Sequence, residues 1–248
     1  MFNVYYDMIN KRKSFHIMPG EKKISGPELD MIKNHFARLV PLCDNIKIAF
    51  KIVQRHTTTW KWGEYAILVY SEKKPNYLAN IGYMVQQLEM FLTALDIGTC
   101  WCGIGQPKAE DKTYEGMDFA IMLIMEKSEE SQFRKSMTEA KRKEMGKIKT
   151  GEGFDSIAEV ARFAPSAVNL QPWLMECEGN KIRVYRKSMR MAKLKWDTLS
   201  FFQRMDVGIF IFFIEMCLKH EKKDFTRTLY VDKGEDLKEL VAEYTVNE

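Results

Sequence analysis

Tyr77, Ile81, Met84, Val85, Leu88, Phe91, Leu92 and Leu95 recur with the period of an α-helix over several turns. They predict a helix over 77–95, with Gly98 as its stop. A short helix is expected over Tyr5–Asn10. Another is expected over 27–40, where Ser25 is placed to cap the start and Pro27 sits in the first turn. Leu29, Ile32, Phe36 and Leu39 share one of its faces, and Pro41 closes it. Ile46–Gln54 and Tyr65–Tyr70 are rich in Ile, Val, Phe and Tyr and read as strands. The aromatics and threonines of the RHTTTWKWGE stretch between them suit a pocket lining and an exposed hairpin end equally. Phe119–Met125 is an unbroken apolar run, the pattern of a strand buried on both faces. Ser128–Gly153 is rich in Lys and Glu and ends in Gly-Glu-Gly. It reads as a solvated helix and linker, with a lid over a site as the alternative.

Beyond the linker, Phe154, Ile157, Ala158 and Ala161 form one helical face. Asp155 is the expected cap and Pro165 the stop. The longest apolar run then predicts a helix over Phe201–Leu218. Set above ANIGYMVQQLEMFL (79–92), MDVGIFIFFIEMCL (205–218) matches at Gly82 and Gly208, Glu89 and Glu215, Met90 and Met216, and Leu92 and Leu218. A similar strand precedes each, ILVY at 67–70 and IRVY at 182–185. This is the signature of a duplicated unit. It divides the chain into a first half over 1–130, a charged linker over 131–153 and a second half over 154–248.

The 248 residues suffice for a substantial core, and 46% hydrophobic with 29% charged residues is a globular balance. A net charge of +4 without a basic-aromatic module argues against nucleic acid and fits small anionic ligands. Cys43, Cys100, Cys102, Cys177 and Cys217 are odd in number and lack zinc spacing. They read as reduced thiols in a cytoplasm. The sequence shows no basic-then-apolar leader, no run long enough for a bilayer and no paired histidines, so neither a membrane nor a metal is expected.

Two stretches carry candidate chemistry. Arg12, Lys13, Ser14 and His16 offer a guanidinium, an ammonium and a hydroxyl within a short span, the grouping a phosphate monoester wants. A solvated basic patch has the same composition. The second stretch is ARFAPSAVNLQPW (161–173), where Pro165, Ser166, Asn169 and Gln171 place small and amide groups in a proline-bounded loop. It resembles the APSxxNxQPW signature of the nitroreductase family of flavoproteins, and RKSFH is similar to that family's RRSxR motif, with His16 in place of the last arginine. GTCWCGIGQP after the long helix resembles a further family segment.

The resemblance implies an α+β nitroreductase-like three-layer sandwich, a mainly antiparallel central sheet flanked by helices. It also implies a pseudo-two-fold in which one chain supplies both subunits of a usual dimer. FMN is the implied cofactor, with NADH or NADPH as donor and a small electron-poor acceptor, used in ping-pong fashion. Arg12, Lys13 and Ser14, with His16, would hold the phosphate or place charge near the ring's pyrimidine end. Ser166, Asn169 and Gln171 would meet its polar edge, beside Pro165. Each motif occurs once, so one flavin site is expected, in a monomer or weak homodimer. No side chain is required as acid or base, and none is assigned. A non-catalytic flavin-binding protein, sensor or carrier, and a flavin-free interaction protein are the readings from other classes.

Overall fold

The computed structural model describes residues 2–18, 20, 22–189 and 196–247. In chain order the elements are α1 (Phe2–Lys11), α2 (Gly26–Phe36), β1 (Ile48–Gln54), β2 (Tyr65–Ser71), α3 (Tyr77–Ala94), β3 (Ile97–Cys102), β4 (Thr113–Tyr114) and β5 (Met117–Lys127). There follow α4 (Met145–Ile148), β6 (Lys149–Gly151), α5 (Asp155–Ala161), β7 (Trp173–Glu178), β8 (Lys181–Lys187), α6 (Trp196–His220), β9 (Phe225–Leu229) and β10 (Lys238–Val246). The chain forms two compact units, one of residues 7–77 and 87–139, the other of residues 1–6, 78–86 and 140–248.

The first of these units is built on an antiparallel sheet of order β1-β2-β5-β3, with β4 paired to β5. β5 lies between two partners, which is why its run from Ile121 to Met125 is buried throughout. Ser25 caps α2 through a reciprocal capping box with Glu28, and the helix ends at Phe36, a turn before Pro41. One core cluster joins Phe15, Met18, Leu68, Tyr70, Ile124 and Phe133.

The other unit carries a sheet of order β6-β7-β8-β10-β9, in which β6 pairs parallel to β7 and the rest is antiparallel. The duplication is legible in this topology. β1-β2-α3-β3-β5 and β7-β8-α6-β9-β10 follow the same course, and the sheet orders β1-β2-β5-β3 and β7-β8-β10-β9 correspond strand for strand. Residues 78–86 of α3 pack on α6 at paired glycines. A Cβ on Gly82 would collide with the carbonyl oxygen of Met205, and one on Gly208 with that of Ala79. Both helices are buried almost all round rather than along one stripe. Glu89 and Glu215, matched in the repeat, are both buried carboxylates neutralised by an arginine, Arg12 and Arg227 respectively. Glu215 also accepts from Tyr83 Oη at 2.7 Å and Tyr244 Oη at 2.9 Å.

Several local expectations are revised. α3 ends at Ala94 through Asp96 in the left-handed region, while Gly98 lies inside β3. Gly98 is a glycine because a Cβ would press on Phe15 and Ser128. The 128–153 stretch holds two single-turn helices (130–132 and 137–139), α4 and β6 rather than a long helix. Asp155 is the first residue of α5, not its cap, and pairs with Lys149 at 3.0 Å.

Candidate functional site

The RKSF segment leaves α1 and runs beside β3, with Ser14 bridging Thr99 in parallel fashion and Phe15 N donating to Thr99 O at 2.9 Å. That course turns Arg12 inward. The residue is 2% exposed and its Nη1 donates to Glu89 Oε1 at 3.1 Å. Glu89 further accepts from Thr99 Oγ1 at 3.0 Å and Trp101 Nε1 at 3.3 Å, so the carboxylate is well satisfied. Arg12 is thus half of a buried ion pair. Both of its side-chain hydrogen bonds among the described residues, to Glu89 and to Ser14 Oγ at 3.4 Å, use Nη1 alone.

Lys13 is exposed, and its Nζ donates to the carbonyl of Gln132 at 2.9 Å. Ser14 is half-buried and His16 exposed. Arg134 belongs with them and was missed from sequence. Its Nη1 donates to Arg12 O at 3.0 Å, and its backbone N to Lys11 O at 3.2 Å. Burial, and after it the charge of Arg12, push Arg134 below the ordinary arginine range. The available signal was a repeated tripeptide, Arg12-Lys13-Ser14 and Arg134-Lys135-Ser136. Among the described residues neither Lys13 nor Arg134 forms an ion pair.

In the other unit, the loop after α5 is strained. Val168, Asn169 and Gln171 all have positive φ, at 45°, 58° and 48°. For a β-branched residue such as Val168 this is a true outlier and costs on the order of 1–3 kcal/mol. The surroundings over-determine it. Asp206 of α6 accepts from Ala167 N through both carboxyl oxygens, at 3.0 and 3.2 Å. Ser166 Oγ accepts from Gln171 N at 2.8 Å. Trp173 stacks on Phe210 at 4.7 Å, fixing the loop exit to α6.

The two amides of the signature tie the loop to residues 141–143. Asn169 Oδ1 accepts from Arg142 Nη1 at 3.1 Å, and its Nδ2 donates to Lys141 O at 3.1 Å. Gln171 Oε1 accepts from Lys143 N at 2.8 Å, while its Nε2 donates to Asn169 O at 3.0 Å. Lys143 Nζ donates to the carbonyls of Leu170 and Gln171. Residues 141–143 therefore strap the loop, a role their charged composition did not reveal. Pro165 is buried, Ser166 half-buried, and Val168 stands 62% exposed at the tip. Asp206 is buried with that one donor among the described residues, and desolvation pushes its carboxyl up to about 8.

One unit thus carries a strained, strapped loop and the other a basic cluster, and a family model described as "Putative TM nitroreductase" matches residues 4–217. The chain belongs to that family. Its chemical class is oxidoreduction, and its fold is that of the nitroreductases. A putative nitroreductase from Thermotoga maritima superposes with a TM-score of 0.67 at 18% identity, over 98% of this chain and 94% of that one. Shorter likenesses include a putative NADH dehydrogenase/NAD(P)H nitroreductase from Bacteroides thetaiotaomicron, at 12% identity and TM-score 0.44 over 61% of this chain and 99% of that one. A nitroreductase family protein from Clostridium difficile gives 14% and 0.47 over 61% and 98%. No curated protein matches the sequence. Among the described residues of this nitroreductase-family chain, no helix is long and apolar enough to cross a membrane. None of their His, Cys, Asp and Glu side chains gather into a group of three able to hold a metal ion.

Proposed function

We propose that this nitroreductase-family chain is an FMN-dependent oxidoreductase that takes electrons from NADH or NADPH and passes them to a small electron-poor acceptor. The observation that carries this reading is the strained loop at Val168–Gln171, which four separate groups hold in a conformation its residues disfavour. Strain maintained at such cost marks a segment whose backbone must be presented in one shape. The donors of each unit, taken by itself, support this reading. Among the described residues Lys13 and Arg134 form no ion pair and Nη2 of Arg12 forms no hydrogen bond, which suits these donors to a phosphate. Ser14 and Ser166 contribute hydroxyls, and Val168 offers an exposed apolar contact.

Flavin, when bound, supplies the hydride and electron transfer. The chain's own contribution is binding and orientation. Lys13 and Arg134 would neutralise the phosphate, Arg12 would support them from its pair with Glu89, and Ser166 would offer its hydroxyl to the flavin. Asn169 and Gln171 act one step back, by fixing the loop that presents Ser166 and Val168. Donor and acceptor bind in turn, a ping-pong order. The partners are small molecules rather than nucleic acid or membrane.

The absorption spectrum of the purified protein, followed by FMN titration of the apo-protein, tests the reading. Binding of FMN and loss of the yellow band on anaerobic addition of NADH or NADPH are expected. A protein that takes up no FMN overturns it. Uptake without bleaching leaves only flavin binding.

A further inference from the structure

β3 carries a chemistry that the flavin reading does not use. Cys100 and Cys102 alternate along the strand, so both thiols lie on one face. The parallel bridge of Ser14 to Thr99 brings the exposed His16 alongside. Its Nδ1 lies 3.8 Å from Cys100 Sγ. Trp101 O, at 3.7 Å, is the other acceptor in reach of that thiol. Cys100 is nearly buried, in the cluster formed by Phe15, Met18 and Phe133, and the solvent-facing group beside it is His16. A thiol beside an imidazole that can act as its base, with a second thiol on the same strand face, is an arrangement that generates a nucleophilic thiolate.

We propose that Cys100 is a reactive thiol for low-molecular-weight disulfides, with His16 as its base and Cys102 as the hydrogen-bond donor to its thiolate. The proton leaves Cys100 Sγ for His16 Nδ1, which requires the imidazole tautomer protonated on Nε2. The thiolate attacks one sulfur of the disulfide, and the S–S bond of the small molecule breaks. The departing thiolate takes the proton back from His16. Cys100 is oxidised to a mixed disulfide, and the released thiol is the reduced product. Cys100 is set apart from the other buried thiols. The neighbouring Cys102 thiol holds its pKa below the ordinary thiol range, against the opposing effect of burial. Burial instead pushes Cys177 up to about 11 and Cys217 higher. This assignment stands whether or not the chain binds flavin.

The test treats the native full-length protein with hydroxyethyl disulfide and follows adducts by peptide mass mapping. Cys100 should be modified while Cys177 and Cys217 stay free, and those two thiols serve as internal reporters of unfolding. His16→Gln, an exposed substitution with little bearing on the fold, should slow the Cys100 adduct by about tenfold or more near neutral pH. Cys102→Ala should move the rate-pH profile of Cys100 upward. The proposal is overturned if Cys100 is modified only in step with Cys177 and Cys217, if Cys43 alone reacts, or if His16→Gln leaves the rate unchanged.

Discussion

Gly82 and Gly208 make the same contact in exchanged roles: each brings its helix against a backbone carbonyl of the other, Gly82 at Met205 and Gly208 at Ala79. Ala79 stands to Gly82 as Met205 stands to Gly208, so the contact is self-complementary, as at a two-fold interface. Backbone cannot yield as a side chain does. Gly82→Ala and Gly208→Ala should each destabilise by about 1–3 kcal/mol or more. In the double variant the helices have already parted, and its cost should fall short of the sum. Urea unfolding of the three variants checks this. Wild-type stability in either single variant is incompatible with the contact.

Asp206 links the loop to pH. Its carboxyl is raised from 3.8 to about 8 by burial, and the folded state therefore holds a proton that the unfolded state has released. A raised folded value means the contribution is complete below about pH 4 and is lost as pH rises towards 8. Each unit of difference is worth about 1.4 kcal/mol. Asp206→Asn keeps an oxygen for Ala167 N without a titrating group. Stability curves of the two proteins from pH 4 to 9 should converge at the acid end and part at the alkaline end, with the Asn variant ahead. Parallel curves would show that Asp206 is ionised throughout.

Gln86 lies fully buried in α3 with neither amide atom hydrogen-bonded among the described residues. An orphaned buried amide costs about 1–3 kcal/mol. Gln86→Met removes the polar atoms at nearly constant volume, and a higher urea midpoint is expected. A lower midpoint would show that the amide has a partner.

The elements with strong patterns were legible. The duplication was visible because its matched residues, Gly82 with Gly208 and Glu89 with Glu215, have physical work at equivalent places. Their partners were not visible. Nothing local says that Arg12 faces Glu89, because that pairing depends on the RKSF segment lying along β3. Nor does composition show that 141–143 straps the loop, since solvated and strapping lysines look alike in sequence. Asn169 and Gln171 belonged to a recognisable signature, but the signature gives residue types, and the structure shows their amides tied mainly to residues 141–143.

That difference changes how the phosphate assignment has to be tested. Arg12→Ala strands the buried carboxylate of Glu89, at about 3–5 kcal/mol, so lost FMN binding in that variant reports a damaged fold as readily as a lost contact. Lys13 is exposed and carries no such coupling. Lys13→Ala should weaken FMN about tenfold, the scale of one charge-assisted hydrogen bond, and leave riboflavin, which has no phosphate, within about twofold. For Arg12 the informative variant is Arg12→Met with Glu89→Gln, which removes both charges and leaves neither buried alone. If Arg12 Nη2 reaches the phosphate, that double variant loses FMN selectively while its unfolding midpoint stays near wild type. Equal loss of FMN and riboflavin would mean that the Arg12–Glu89 pair shapes the site without touching the phosphate. Unchanged FMN affinity in both the Lys13 and the double variant would remove the RKSF segment from the cofactor site altogether.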